Sequence, residues 1–373
     1  MSHWTNPALL AGRRVKPAFA NLAKLFAGGA DGLMVDFTDV TTLFQDANAA
    51  LPVSANGQGI GLALDQHKWG GKTLAEYRAA QPELMLSGKF DADITGWSLA
   101  NASNGALSWQ APGKLRTTAN NGNTPGAVSP GFTCVVGRWY ELSLDIVTAH
   151  SSYTGFAIGT TSGGGQTYSS GNLFNAPGFY RRFFKSTATT QYITLYGPGG
   201  GGNIAEFDNV SVKEIDGHHL TQVSTGRPAW ASATGDVAFN GTSHHMISDF
   251  LSGSGSCFAA AYHGALGNLS ADRCTIGAYN GSNAHMQIGL RMTTGKGYMR
   301  VTNAAAISGS TTITGLTDTL LADKGGTDHD LFVNGAIEGT AANSGSLPTA
   351  TPFFVGALNS NGSAASRVAG NRA

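Results

Sequence analysis

The hexapeptide QYITLY, residues 191–196, carries two tyrosines at a spacing that suits sugar binding. Residues two apart on a strand share one face, so Tyr192 and Tyr196 lie together while Ile193 and Leu195 face the other way. Aromatic rings have an apolar face for stacking and, in tyrosine and tryptophan, a polar atom for hydrogen bonding; each ring can equally pack into a core. We select three candidate sugar-binding residues: Trp109, Tyr168 and Tyr192.

Two glycine-rich segments lie close in sequence to these aromatic residues. SGGGQTYSSG spans residues 162–171, and GPGGGG spans residues 197–202. Glycine adopts positive φ at little cost and therefore suits tight turns. We expect the aliphatic pair of QYITLY in a core and its tyrosines in a shallow groove that both glycine segments flank.

The chain offers little for catalysis. Glycoside hydrolysis requires two carboxylates at a defined separation across the scissile bond, and the scattered acids of the chain show no such pairing. The segment SGSGSC, residues 252–257, alternates serine and glycine, but the helix that follows a serine nucleophile is missing from the pattern. We interpret this segment as a flexible loop and expect a protein that is not an enzyme.

Histidines and cysteines give no strong metal site. Adjacent residues on a strand point to opposite faces, so each of the pairs 218–219 and 244–245 supplies one ligand at most. Zinc ligands usually follow stricter spacings, which favours linker and turn histidines here. Cys134, Cys257 and Cys274 lack such spacing too. They are either buried thiols or, for Cys257 and Cys274, a disulfide if their strands are neighbours.

The composition favours a β-rich protein with more than one domain. At 373 residues the chain can bury two or three separate cores. Its 52 glycines suit short strands joined by tight turns. With 23 basic and 23 acidic side chains, there is no electrostatic case for nucleic acid or an anionic membrane. There is also no run of 18 apolar residues that would predict a membrane span.

Periodicity divides the chain into regions. Apolar residues at three- and four-residue steps follow Pro17 and end at Gly28, which predicts a helical attachment segment over 1–29. A helix this short must pack on its own downstream domain or on a partner protein. Residues 30–82 are mixed and are interpreted as a linker region. From Leu84 onward, strands alternate with turns and no helices intervene, which indicates sandwiches or barrels.

The region 83–216 resembles the jelly roll of carbohydrate-binding modules. It opens on PELMLSGKFDADITGWSL and closes on AEFDNVSVKEI, similar to the opening Gly-x-Phe and closing Asp-Asn-Val phrases of that family. Members often bind a structural calcium through the acid after the opening Phe and the Asp before the closing strand. The resemblance therefore implies calcium at Asp91 and Asp208, with loop carbonyls completing its oxygen shell.

The region 217–373 looks like a concanavalin A or laminin G sandwich. The segments GDVAFNGTSHHMIS, DLFVNGAIEG and PFFVGALNSNGSAASRVAG resemble its opening strand, late hairpin and penultimate element. In that family a further strand usually follows the last glycine, whereas here only residues 371–373 follow Gly370. We therefore expect this sandwich to be one strand short, with an exposed edge. The predicted fold is mainly β, with a jelly-roll sandwich and a concanavalin A-like sandwich after a short helical attachment region.

A third resemblance gives a biological setting. VDFTDVTTLFQDANAALPVSANGQGIGLALD and GHHLTQVSTGRPAW are similar to phrases found around such sandwiches in tailed-phage and prophage virion proteins. This implies a tail fibre or spike on the particle surface, assembled in the bacterial cytoplasm and joined to other virion proteins through its N-terminal region. We expect host-surface polysaccharide as the ligand, and a homo-oligomer, with a trimer as our guess.

Two alternatives stay open from the sequence. One is a purely structural capsid-decoration, head-spike or tail adaptor protein that binds no glycan. The other is an accessory module of a polysaccharide-degrading enzyme, for which a catalytic region is missing from the pattern. Binding to glycans separates the first alternative from a receptor-binding role, and release of reducing sugar would support the second.

Overall fold

The computed structural model describes most of the chain. The described residues are 32–151, 153–170, 174, 176–233, 236–251, 258–263, 273–279, 285–290, 296–301, 307–312, 319–324, 328–333, 336–342, 351–356, 358–360, 363–365 and 369–372. The predicted helical attachment segment, residues 1–29, and Cys257 lie outside this set.

Short strands make up nearly all of the regular structure. The first thirteen strands are β1 (Leu43–Phe44), β2 (Leu62–Ala63), β3 (Ser98–Leu99), β4 (Gly105–Gln110), β5 (Lys114–Ala119), β6 (Gly126–Val128), β7 (Phe132–Thr133), β8 (Trp139–Thr148), β9 (Gly155–Gly159), β10 (Tyr168–Ser169), β11 (Gly178–Lys185), β12 (Thr190–Tyr196) and β13 (Ile204–Glu214). Helical structure among the described residues is limited to a 3₁₀ turn, Val40–Thr42, and one short helix, α1 (Leu74–Ala80).

Sixteen further strands follow in the described residues. They are β14 (Leu220–Thr221), β15 (Ala229–Ala231), β16 (Asp236–Asn240), β17 (Met246–Leu251), β18 (Phe258–His263), β19 (Arg273–Tyr279), β20 (His285–Leu290), β21 (Lys296–Val301), β22 (Ile307–Thr312), β23 (Thr319–Lys324), β24 (Asp328–Val333), β25 (Ala336–Ala342), β26 (Pro352–Val355), β27 (Leu358–Ser360), β28 (Ser363–Ala365) and β29 (Ala369–Arg372). The described pairings are antiparallel except that of β27 with β19. The predicted fold class, mainly β with antiparallel sandwiches, is confirmed.

The chain divides into two compact units, and the second is inserted in the sequence of the first. The first unit comprises the described residues of Met1–Ala47, Leu51–Leu74 and Gly217–Ala373, and the second comprises Asn48–Ala50 and Ala75–Asp216. Strand β2, before the insertion, pairs with β14, after it, through Leu62–Thr221 and Ala63–Leu220. Residues 51–74, part of the predicted linker region 30–82, therefore share a sheet-forming unit with the C-terminal region.

The second unit is a sandwich of two sheets. One sheet has the strand order β11-β8-β13-β5-β4, and the other has the order β10-β9-β12-β6-β3, with β7 also paired to β12. Alternate residues of β8, such as Leu142 and Leu144, face Phe156, Ile158 and Ile193 from the other sheet in one buried core. Fully burying an aliphatic or phenylalanine side chain contributes about 1.5–3 kcal/mol, so this core dominates the stability of the unit.

The opening phrase of the second unit lies against its closing strand. The Val210 amide donates to the Gly88 carbonyl (2.8 Å), and the Leu84 amide donates to the Val212 carbonyl (2.9 Å). A side chain at position 88 would place its Cβ 1.8 Å from the Val210 oxygen, so only glycine fits this approach. The two ends of the unit are thereby joined, which brings the segment around Asp91 close to β13.

The first unit contains three sheets. The largest has eleven strands and includes the path β1-β2-β14-β17-β26-β19-β20-β21-β22; the others are β15-β16-β29 and β18-β23-β24-β25. The expectation of a missing last strand is wrong, because residues 369–372 form β29 and pair with β16. No helix among the described residues is long and apolar enough to cross a membrane.

Candidate functional site

A row of tyrosines lies on the outer face of the second unit, on the sheet that contains β12. Ile193 and Leu195 of β12 are fully buried in the sandwich core, as their spacing predicts. Tyr192 and Tyr196 point away from that core and are half-buried. Tyr153, just before β9, joins them, because its ring meets that of Tyr196. We call Tyr153, Tyr192 and Tyr196 the tyrosine face.

Glycines on the neighbouring strands form the floor beneath these rings. Tyr196 pairs with Gly155 of β9 on one side and Gly126 of β6 on the other, and Tyr192 pairs with Gly159. A Cβ on Gly126 would lie 3.4 Å from the Tyr196 ring. The space over Gly159 is filled by Gln166 and Gly164 of the following loop, and the Tyr192 ring lies beside Gly131 instead, where a Cβ would be 3.1 Å from Tyr192 Cε1.

The hydroxyls of the tyrosine face differ in their partners. Tyr196 Oη donates to the Gly163 carbonyl at 3.3 Å. Within the described part of the chain, no hydrogen bond is formed by the hydroxyl of Tyr153 or Tyr192. Burial raises the pKa of Tyr153, and burial together with the neighbouring Tyr153 raises the pKa of Tyr196. Both are therefore protonated at neutral pH and can donate and accept hydrogen bonds.

The loop from β9 to β10 stands beside the tyrosine face and is internally braced. Gln166 accepts from the Thr160 amide (3.0 Å) and donates to the Thr161 hydroxyl (2.9 Å). The same loop supplies the Gly163 carbonyl that accepts from Tyr196. Residues 162–170, the described part of the glycine-rich segment, therefore lie beside the face at Gly163. The segment 197–202 packs on residues 121–125, where Gly197 donates to Pro125 and Gly200 donates to Asn121.

The three predicted sugar-binding residues do not lie together. Tyr192 belongs to the tyrosine face, whereas Trp109 lies on β4, at the edge of the other sheet, and donates to the Phe90 carbonyl (2.7 Å). Tyr168 packs against Phe156 in the core and accepts a hydrogen bond from Arg182 Nε (2.7 Å). Of the candidates, only Tyr192 faces outward with the other tyrosines.

Of the two other tyrosines on this face, Tyr196 could be predicted from the sequence and Tyr153 could not. Tyr196 follows from the two-residue alternation that also selects Tyr192. Tyr153 precedes its strand, where alternation gives no direction, and only the pairing of β9 with β12 brings it to Tyr196. A contact of this kind depends on sheet topology and is not visible in local sequence.

Asp145 and Asp208 lie on paired strands of the other sheet of the second unit, and Asp91 is within electrostatic reach of Asp208. Asp208 pairs with Asp145 of β8, and burial followed by the charges of Asp145 and Asp91 raises the pKa of Asp208. Asp208 lies inside β13, at a bulge, and not before the strand as the family pattern suggested. Asn209, at φ 51°, donates its side-chain amide to Asp145 at 2.8 Å.

These carboxylates meet only part of the requirement for calcium. Their oxygen donors are the type that calcium prefers, and Asp91 lies within electrostatic reach of Asp208. However, no group of three or more His, Cys, Asp or Glu side chains in the described ranges could hold a metal ion. Calcium at Asp91 and Asp208 therefore stays a proposal.

A buried aspartate organises the first unit near the point where the inserted sequence begins and ends. Asp65 is fully buried and accepts from the amides of Met34 (2.8 Å), His67 (3.0 Å) and His218 (2.7 Å), and it pairs with His67 Nδ1 at 2.6 Å. Its own amide donates to His219 Nδ1 (3.1 Å). His218 and His219 are thus structural partners of Asp65.

Comparisons with known proteins give only remote likenesses. No protein-family model matches the chain, and no curated protein matches it. The N-terminal cellulose-binding domain of Cellulomonas fimi β-1,4-glucanase C is 18% identical, at TM-score 0.28, covering 35% of this chain and 95% of that one. The enzymatically active domain of bacteriophage CBA120 tailspike protein 4 is 15% identical, at TM-score 0.28, covering 37% and 22%.

A further likeness extends over more of the chain. Mouse laminin α1 domains LG4–5 are 15% identical, at TM-score 0.23, covering 79% of this chain and 91% of that one. At these TM-scores the likenesses do not establish a shared function.

Proposed function

We propose that this protein is a non-enzymatic structural protein of a phage or phage-like particle, a tail fibre or spike, that binds host-surface glycans. The observation that carries glycan binding is the tyrosine face: three half-buried tyrosines on the outside of a sheet. The virion setting is supported by the sequence phrases at residues 35–65 and 217–230.

The tyrosine face has the chemistry that pyranose recognition requires. A half-buried tyrosine ring offers its apolar face to the C–H groups of a sugar. The hydroxyls of Tyr153 and Tyr192 are available to exchange hydrogen bonds with sugar hydroxyls, because they donate and accept equally well. Buried Thr194 lies between the two β12 tyrosines on the same strand face and adds a small, uncharged floor.

Binding without catalysis is the better account of this face. Hydrolysis of a glycosidic bond requires an acid and a second carboxylate on either side of it. The strands that form this sheet contain no Asp or Glu, and the carboxylates Asp145 and Asp208 lie on strands of the other sheet. We therefore assign the tyrosine face to binding alone.

The remaining parts of the proposal concern assembly. The N-terminal region, residues 1–29, would join the chain to other virion proteins, and a homotrimer would project the sandwiches from the particle surface. A structural calcium at Asp91 and Asp208 would bind between the opening phrase and closing strand of the second unit. The raised pKa of Asp208 means that its negative charge is unfavourable where it stands. A bound calcium ion would offset that charge.

A purely structural role is the second candidate. Aromatic rings beside glycines also stabilise sheets that bind nothing, and the pairings of Tyr196 with Gly126 and Gly155 have that geometry. A glycan array probed with the full chain and with Tyr192→Ala separates the two roles. If the wild type binds a glycan and Tyr192→Ala does not, the result supports glycan recognition. If the folded wild type binds no glycan and no host cell, the result supports the structural role.

A further inference from the structure

Between residues 94 and 205, the charged residues of the second unit lie on or directly beside only one of its two sheets. Residues 94–205 contain eight Lys, Arg, Asp or Glu side chains. All eight lie in β5, β8 or β11, or directly before β8: Lys114, Arg116, Arg138, Glu141, Asp145, Arg181, Arg182 and Lys185. None lies in β3, β6, β7, β9, β10 or β12, or in a segment that connects them. The sheet with the tyrosine face is therefore free of charged residues.

The charges on the other sheet are largely paired with one another. Arg116 forms a salt bridge with Glu206 (2.6 Å), which also lies 3.5 Å from Lys114. Arg181 lies 3.4 Å from Glu141. The two glutamates are nearly buried, whereas Lys114, Arg116 and Arg181 are partly exposed.

Arg182 is a cationic side chain of the other sheet that reaches toward the tyrosine-bearing sheet. Its guanidinium is buried on the inner side, between the sheets, where it lies 5.3 Å from the Phe174 ring centroid and 5.8 Å from that of Phe156. Its Nε donates to Tyr168 Oη, so it is held by the core aromatics. It therefore offers no positive charge to the outer tyrosine face.

We infer that the tyrosine face recognises an uncharged polysaccharide, and this rests on the proposed function. A carboxylate, sulfate or phosphate on the glycan loses hydration when it is brought against a half-buried surface, and this cost is offset only by a cation or several hydrogen-bond donors. The face supplies aromatic rings and hydroxyls without a cation. It thus favours neutral hexose or pentose chains over uronic acids, sialic acids and teichoic acid phosphates.

Salt dependence gives a direct signature of this selectivity. Binding through stacking and hydroxyl hydrogen bonds is insensitive to ionic strength. Binding of an anionic chain through basic side chains is screened as the Debye length falls from about 30 Å at 0.01 M salt to about 3 Å at 1 M. The basic side chains of the other sheet, such as Lys114, are the alternative contact for an anionic chain.

The test is affinity gel electrophoresis of the full chain in gels that contain single polysaccharides. The neutral set is mixed-linkage β-glucan, xylan, galactomannan and dextran; the anionic set is alginate, hyaluronan, polysialic acid and teichoic acid. The wild type, Tyr192→Ala and Lys114→Gln are compared at low and high salt. We expect retardation by at least one neutral polysaccharide, equal at both salt concentrations, lost in Tyr192→Ala and kept in Lys114→Gln.

Three results would overturn the inference in different ways. Retardation by an anionic polysaccharide that disappears at high salt contradicts neutral selectivity while leaving glycan binding intact. Neutral binding that falls in Lys114→Gln and persists in Tyr192→Ala moves the site to the charged sheet. No retardation of the folded wild type by any polysaccharide of either set counts against the proposed function itself.

Discussion

The rings of Tyr153 and Tyr196 meet edge to face, with their centroids 6.0 Å apart and their planes at 82°. One residue precedes β9 and the other ends β12, so two paired strands each contribute a ring to one surface. An aromatic pair of this geometry contributes about 0.5–1.5 kcal/mol beyond the area it buries. The pair therefore fixes the orientation of one end of the tyrosine face before any ligand binds.

Gly131 sets the position of Tyr192 at the other end. A Cβ at position 131 would lie 2.9 Å from Thr190 Cγ2 and 3.1 Å from Tyr192 Cε1. We expect Gly131→Ala to displace the Tyr192 ring and weaken glycan binding by about 10-fold, which corresponds to about 1.4 kcal/mol. Gly122→Ala is the matched control, since its Cβ would meet nothing within 4 Å. Equal affinity of the two variants in calorimetric titration would contradict this role for Gly131.

Asp91, Asp145 and Asp208 give opposite predictions for the Asp208→Asn variant with and without calcium. Without a cation, burial and the charges of Asp145 and Asp91 raise the pKa of Asp208, so its ionised form destabilises the native state and Asp208→Asn should raise the Tm. With bound calcium, the same substitution removes a ligand and should lower the Tm. We expect the second result in calcium and the first in EGTA.

Asp93→Asn is the matched control for Asp208→Asn. Asp93 is exposed and accepts from the Thr95 amide at 2.8 Å, and it is not among the charges that shift the pKa of Asp208. Its substitution should give the same small change of Tm in calcium and in EGTA. A wild-type Tm that calcium leaves unchanged, together with a higher Tm of Asp208→Asn in both buffers, would exclude calcium at this position.

Asp65→Asn should destabilise the first unit strongly. Burial alone would raise the pKa of Asp65, but the hydrogen bond and charge of His67, with the amides of Met34 and His218, lower it. A lowered pKa means that the carboxylate stabilises the native state above its unfolded pKa of 3.8 and that this stability is lost as the pH falls below it. Asparagine would place an NH₂ donor among amide donors, and leaving a buried polar group unsatisfied costs about 1–3 kcal/mol.

Chemical denaturation at neutral pH measures this loss. Asp39→Asn is the control, because Asp39 caps the 3₁₀ turn through the Thr41 amide and asparagine caps equally well. We expect a large shift of the unfolding midpoint for Asp65→Asn and almost none for Asp39→Asn. Equal midpoints for both variants at pH 7 would show that the Asp65 hydrogen bonds contribute little.

Tyr140 should make the second unit sensitive to alkaline pH. Burial raises the pKa of Tyr140 to about 12, although the Val135 amide, which donates to its oxygen, lowers it. The unfolded chain releases this proton near pH 10, so the native state binds more protons above pH 10 and the free energy of unfolding falls as the pH rises toward 12. Urea unfolding of Tyr140→Phe should show a flatter alkaline dependence than the wild type; equal slopes would contradict the assignment.

Features that depend on local alternation were predictable from the sequence. The opposite faces of Ile193 and Tyr192 follow from a period of two, and the same pattern gave the mainly β class. The opening phrase of the second unit could be recognised from its Gly88, because the backbone of Val210 approaches so closely that no side chain fits at position 88. These features are fixed by steric and periodic rules that act within a few residues.

Features that depend on distant pairing were not predictable. The insertion of the second unit follows from the pairing of β2 with β14, whose residues lie more than 150 positions apart in sequence. The inward position of Tyr168 depends on its pairing with Ile158 and its contact with Arg182. The bulge that places Asp208 within β13 depends on the register with β8. In each case a partner from elsewhere in the chain decides the outcome.

Isothermal titration of four proteins with a polysaccharide that retards the wild type tests the central claim most directly. The proteins are the wild type, Tyr192→Ala, Tyr196→Ala and, as a matched control, Phe179→Ala, which removes an aromatic ring that is 58% exposed on the other sheet. We predict that both tyrosine variants lose about 10-fold or more in affinity, whereas Phe179→Ala binds as the wild type does. Unchanged affinity in both tyrosine variants, or a loss confined to Phe179→Ala, would contradict the assignment of glycan binding to the tyrosine face.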